Sequence, residues 1–148
     1  MILEKKFYKK VEHYLYKHYE VAEQLELQQE DIIHGVKMLH LGEETGGSMS
    51  AGNESKVERA ALSLIELAET EESKWVKTVE EVVSEFVDTE YERLIDLTYN
   101  KQIRVTKILR LLNMEKSTYY DKRNDVIIQV ALRAAANGIM YNRVKKVG

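Results

Sequence analysis

The chain has 148 residues and contains neither proline nor cysteine. Without proline, no residue of a helix interior is barred from donating its backbone N–H, so long helices meet no built-in breaker. Without cysteine, disulfides, thiolate catalysis and Cys-ligated zinc are excluded together. No apolar run approaches a membrane span, and the opening Met1-Ile2-Leu3-Glu4-Lys5-Lys6 has no apolar core of signal-peptide length. A soluble protein that stays inside the cell, away from the membrane, is expected. Glycine is scarce as well. Four of the seven glycines fall within residues 42–52, a GEETGGSMSAG stretch with two serines, which reads as a flexible connection over about residues 42–53.

Charged residues make up 32% of the chain, which suits the exposed faces of amphipathic helices. Phe7, Val11, Tyr14, Leu15, His18, Ala22, Leu25, Ile32, Ile33 and Val36 recur at gaps of three and four, with one of seven after Leu25, predicting one helix from Leu3 to about Leu39. It would run roughly 50 Å and needs a partner. The stripe resumes after Ser55 with Val57, Ala61, Leu64, Ala68, Trp75, Val79, Val82 and Phe86, and Glu71 or Glu72 interrupts it, suggesting a local kink or a partner charge there. These two stripes predict an antiparallel, coiled-coil-like hairpin over residues 1–87. Asp88 or Thr89 is placed to cap a third helix from Glu90 to about Tyr99, which Asn100-Lys101-Gln102 breaks. The expected class is all-α: a long N-terminal helical hairpin, a small C-terminal domain over residues 88–140, and a basic tail at 141–148.

The net charge of −3 hides an asymmetry. Residues 104–148 carry ten Lys/Arg against three acids, a net +7, which leaves −10 for residues 1–103. An acidic body with a basic end is the distribution expected when only one end approaches phosphate. That end reads as a short helix, Val105 to Leu112, a turn at Asn113-Met114-Glu115, and a longer helix from Lys116. This is the pattern of a helix-turn-helix. Ile108, Leu109 and Leu112 point inward, Asn113 takes the left-handed conformation that asparagine tolerates, and Met114 plugs the turn. The second helix buries Tyr119, Val126, Val130 and Ala134 and stops at Asn137-Gly138.

With Tyr119 inward, Lys116, Ser117, Thr118, Tyr120 and Asn124 are placed to reach a major groove, which is about 12 Å wide. Lys122 and Arg123 flank that face and are assigned to the phosphate backbone, as are Lys107 and Arg110 on the preceding helix. Asp121 would repel phosphate unless it pairs with Lys122 or Lys107, or accepts from a cytosine amine.

The stretch Leu112 to Tyr120, with Arg123 and the Val126 to Ala136 helix, resembles the C-terminus of phage transcriptional regulators of the RinA/ArpU type. The closing Ser117-Thr118-Tyr119-Tyr120 and Val130-Ala131 carry the resemblance, and the long aromatic-bearing first helix and the Trp75 helix are similar in layout. Glu115, Asp121 and Leu109 stand where that pattern favours serine, a basic residue and alanine. The resemblance implies a helix-turn-helix similar to the DNA-reading region of sigma factors, a sequence-specific activator of late phage genes in the cytoplasm of a bacterial host, and host RNA polymerase as a partner beside double-stranded DNA. Homo-oligomerisation would run through the N-terminal hairpin.

Other chemistry finds no support. His13, His18, His34 and His40 lack the i, i+4 spacing of a helical ligand pair, the glycine stretch has no Lys before its Ser, and Asn53-Glu54-Ser55 fits the glycosylation triplet without a secretory route. No nucleophile and base are brought together, so no enzyme, cofactor or metal is expected. Two other readings stand beside the DNA regulator: a helical adaptor or structural protein that binds a partner protein, and a DNA-packaging subunit similar to the small terminase of phages.

Overall fold

The computed structural model describes residues 3–43 and 50–139, with side chains described over 3–37 and 56–139. The fold is all-α among the described residues: α1 Lys5–Glu43, α2 Ser50–Ala68, α3 Glu71–Glu85, α4 Glu90–Ile95, a π-helical turn Asp96–Asn100, α5 Val105–Leu112 and α6 Lys116–Ala136. No helix among them is long and apolar enough to cross a membrane. The expected glycine-rich connection is shorter than residues 42–53, since α1 runs through Gly42 and α2 begins at Ser50. Residues 44–49 and the basic tail at 141–148 lie outside the described residues.

The chain divides into two compact units, and the division is not the one expected at residue 88. The first unit combines Met1–Tyr19 with Lys74–Gly148, and the second is Glu20–Ser73. Packing explains the difference. Val11, Tyr14 and Leu15 of α1, Trp75, Val79 and Val82 of α3, Ile95, Tyr99, and Val126, Ile127, Val130, Ala131 and Ala134 of α6 form one buried cluster. A fully buried Val or Ile contributes roughly 1.5–3 kcal/mol, so α6 is the centre of the core that the first turns of α1 also close. Residues 1–87 therefore do not complete a core by themselves. Trp75 stacks on Tyr14 with ring centroids 5.0 Å apart and planes 5° from parallel.

Glu71 and Glu72 mark a full break between helices rather than a kink. Thr70 Oγ1 accepts from Ser73 N at 3.2 Å, capping α3, and the two glutamates occupy its first turn, where the helix dipole favours acids. In the first unit, Thr89 proves to be the cap of α4, its Oγ1 accepting from Tyr91 N at 3.2 Å. Glu92 Oε2 accepts from Asp88 N at 2.8 Å, so the two side chains satisfy one backbone donor on each side of the helix start.

The expected third helix ends earlier than Tyr99 in regular form. From Asp96 the hydrogen bonds lengthen to the π spacing, with Lys101 N donating to Asp96 O at 2.8 Å. The Asp96 carboxylate accepts from Asn100 Nδ2 at 3.1 Å and pairs with Lys101 Nζ at 3.4 Å. Gln102, at φ 52°, then turns the chain toward α5.

Leu94, Leu97, Ile108 and Tyr119 form a second, smaller cluster, with Leu109, Leu112 and Met114 half-buried against it. The Tyr119 hydroxyl lies 2.9 Å from Thr98 Oγ1, so its polar end is satisfied inside. Asn113 is left-handed at φ 51° and ψ 55°. Met114 N donates to Leu109 O at 3.0 Å across the turn, the backbone pattern of a helix closed by a left-handed residue.

Candidate nucleic-acid interface

The side of α6 opposite its buried stripe is open at its N-terminal end. Tyr119, Val126, Val130 and Ala134 are all fully buried. Lys116, Ser117, Thr118, Tyr120 and Asn124 are exposed, as are Lys107 and Arg110 of α5. Only the three-residue turn Asn113–Glu115 separates the two helices, so cations on both sit within one short piece of chain. Arg104, at the N-cap of α5, is also exposed and belongs with this group, although no motif in the sequence marks it. Arg104, Lys107, Arg110 and Lys116 form no ion pair among the described residues.

Arg123 does not belong to this surface. Its Nη2 pairs with Glu12 Oε2 of α1 at 2.5 Å and donates to the Tyr16 hydroxyl at 3.1 Å, while its Nε donates to the Tyr99 hydroxyl at 3.3 Å. Its side chain keeps 16% of its exposure and that of Glu12 keeps 21%. Burial works against the guanidinium charge, but Tyr99 and Glu12 outweigh it and hold its pKa above the ordinary value. Burial likewise pushes the Tyr99 phenol up, against the pull of Arg123. Arg123, expected at the phosphate backbone, instead directs its hydrogen bonds to α1 and the π turn. The signal was in the spacing, because Arg123 stands four residues after Tyr119 and three before Val126, on the inward side of the helix. Glu12, Tyr16 and Tyr99, which hold it, were not singled out because nothing local in sequence joins them.

Lys122, also expected at the phosphate backbone, has an internal partner as well. Its Nζ pairs with Glu90 of α4, leaving its side chain 17% exposed, and sits 4.8 Å from the centroid of the Tyr91 ring. The hydrogen bond to Glu90 raises its pKa. Asp121, exposed, therefore has no pairing with Lys122, and Asp125 accepts instead from the Tyr91 hydroxyl at 2.9 Å. That bond pushes the Tyr91 phenol up. On the other flank of α6, Arg133 pairs with Glu81 at 2.9 Å and with Glu85, tying the helix to α3.

The start of α6 is electrostatically mixed. Glu115 occupies the N-cap in extended conformation, and its side chain makes no capping hydrogen bond. The first-turn N–H groups, at the positive end of the helix dipole, thus lack the side-chain acceptor that a serine, threonine or aspartate supplies. Exposed Lys116 adds positive charge, and exposed Glu115 and Asp121 subtract from it. The described residues hold no cluster of three or more His, Asp or Glu side chains able to bind a metal ion. No protein-family model, curated protein or solved structure matches the chain.

Proposed function

We propose that the chain is a double-stranded-DNA-binding transcriptional regulator, with α5 and α6 acting as a helix-turn-helix. The observation that carries this reading is the open cationic edge: Arg104, Lys107, Arg110 and Lys116 are exposed on two helices joined by one tight turn, while the far side of α6 is locked into the core. Cations of this kind supply phosphate affinity, and Ser117, Thr118, Tyr120 and Asn124 beside them are the side chains that can read base edges. Glu115 and Asp121 limit affinity and add to discrimination, since a carboxylate tolerates few neighbours in a groove. Control of late phage genes and contact with host RNA polymerase rest on the RinA/ArpU resemblance.

Fluorescence anisotropy on sheared double-stranded DNA at two salt concentrations tests the proposal. The full chain is expected to bind at low salt and to weaken by orders of magnitude at moderate salt. A variant with Lys107, Arg110 and Lys116 replaced by Gln is expected to lose binding while keeping its helical circular dichroism. Absence of binding by the wild-type chain at low salt overturns the reading.

A further inference from the structure

The described side chains of the second unit form no closed core. Among its described side chains none is buried; Val21, Ala22, Leu25, Ile32 and Val36 of α1 and Ala60, Leu64 and Leu67 of α2 are half-buried at most. Helices of this length owe most of their stability to packing of an apolar face. On α2 a whole apolar stripe remains uncovered. Val57, Ala61, Ile65 and Ala68, at gaps of four, four and three, fall on one face and are all exposed, with Val57 at 51% and Ile65 at 54%. Isolated surface leucines need no explanation, but a continuous stripe does.

Charge decides what fits there. Glu58, Leu62, Ile65 and Glu69 follow at gaps of four, three and four, so exposed carboxylates border the stripe along one flank. Residues 20–73 as a whole hold thirteen acids against three Lys/Arg, a net −10. A second copy is a poor occupant: antiparallel pairing of α2 with itself brings this flank against its own counterpart and sets Glu58 and Glu69 of both copies together. A helix with apolar residues at the same spacing and lysine or arginine on its edges matches both features.

We infer that the exposed face of α2 docks a basic amphipathic helix of another protein, by side-by-side packing of two apolar helix faces. Val57, Ala61 and Ile65 supply the apolar contact, the two alanines of the stripe allow close approach, and Glu58 and Glu69 meet the partner's cations. This inference is independent of the DNA reading, which concerns the other unit.

The test uses the full chain and a synthetic helical peptide of about 18 residues, roughly the length of α2. The peptide carries leucine at every third or fourth position and lysine on both flanks. Two controls are a scrambled peptide of the same composition and one with glutamate for lysine. By anisotropy at moderate salt, the amphipathic basic peptide is expected to bind at least about tenfold more tightly than either control. Val57→Ser with Ile65→Ser, or Glu58→Gln with Glu69→Gln, is expected to remove that difference while circular dichroism stays unchanged. Equal binding of the scrambled peptide, or indifference to both pairs of substitutions, overturns the proposal. So does a fall in oligomeric state of the Val57→Ser/Ile65→Ser chain in sedimentation, which assigns the face to a second copy. A gain in peptide affinity on replacing Arg143, Lys145 and Lys146 by Gln assigns it to the chain's own C-terminal segment.

Discussion

Arg123 and Glu12, 111 residues apart in sequence, meet at 2.5 Å, with the Tyr16 and Tyr99 hydroxyls completing the guanidinium's partners. The contact fastens the proposed reading helix to the first turns of the chain. It also separates two roles that a basic residue on α6 can play.

Arg123→Ala is expected to cost about 1–3 kcal/mol of stability, because it leaves the half-buried Glu12 without its cation. Denaturant unfolding, with the single Trp75 as fluorescent reporter, measures it. Glu12→Gln is expected to lose stability in the same direction but by less, since an amide still accepts from the guanidinium.

The same variants sort phosphate contacts from positioning. Lys116→Ala is expected to shallow the dependence of DNA affinity on salt by about one unit in the log–log slope. Arg123→Ala is expected to weaken binding with the slope unchanged. A slope change in Arg123→Ala matching that of Lys116→Ala would return Arg123 to the phosphate surface.

Asn113 at φ 51° sets the geometry of the turn. Asn113→Gly is expected to be neutral or slightly stabilising, whereas Asn113→Val should cost about 1–2 kcal/mol from left-handed strain. Thermal melts of the two variants give the comparison.

Glu115→Ser is expected to stabilise the chain by about 0.5–2 kcal/mol, because serine supplies the capping acceptor that Glu115 does not. It should also strengthen DNA binding by removing a carboxylate beside Lys116. A stabilised chain with unchanged affinity would place the helix start away from phosphate.

Alkaline pH should destabilise the first unit. The Tyr99 phenol is raised above its ordinary value of 10.0, by burial first, and those of Tyr8, Tyr16 and Tyr91 are raised as well. In the unfolded chain these phenols ionise at lower pH than in the folded one, so the unfolded state loses protons first. The stabilisation is complete below 10.0 and drains away as pH rises from there toward the raised folded values. Tyr99→Phe is expected to flatten that decline in a series of melts across alkaline pH.

Local pattern carried much of this structure into the sequence. The bounds of α5, the left-handed Asn113, the start of α6 and the buried stripe of Tyr119, Val126, Val130 and Ala134 follow from period and turn chemistry alone. The cap of α4 was narrowed to Asp88 or Thr89. What periodicity does not encode is which stripe meets which. The pairing of α1 with α6 joins residues more than a hundred positions apart, and no local pattern announces a compact unit built from both ends of the chain. The partners that hold Lys122 and Arg123 were hidden for the same reason, since Glu90, Glu12, Tyr16 and Tyr99 are distant in sequence. The π turn, where Asn100 and Lys101 meet the Asp96 carboxylate, has no periodic signature in the sequence.

The discontinuous first unit also sets a timetable for synthesis. Val11, Tyr14 and Leu15 leave the ribosome early, but the α6 residues that cover them come more than a hundred residues later. At about 5–20 residues per second, the delay between Glu12 and Arg123 is roughly 5–20 s. Until α6 emerges, only residues before it, such as Trp75 of α3, are there to cover the apolar face of α1, and the nascent chain offers a target for chaperones that its finished form withdraws.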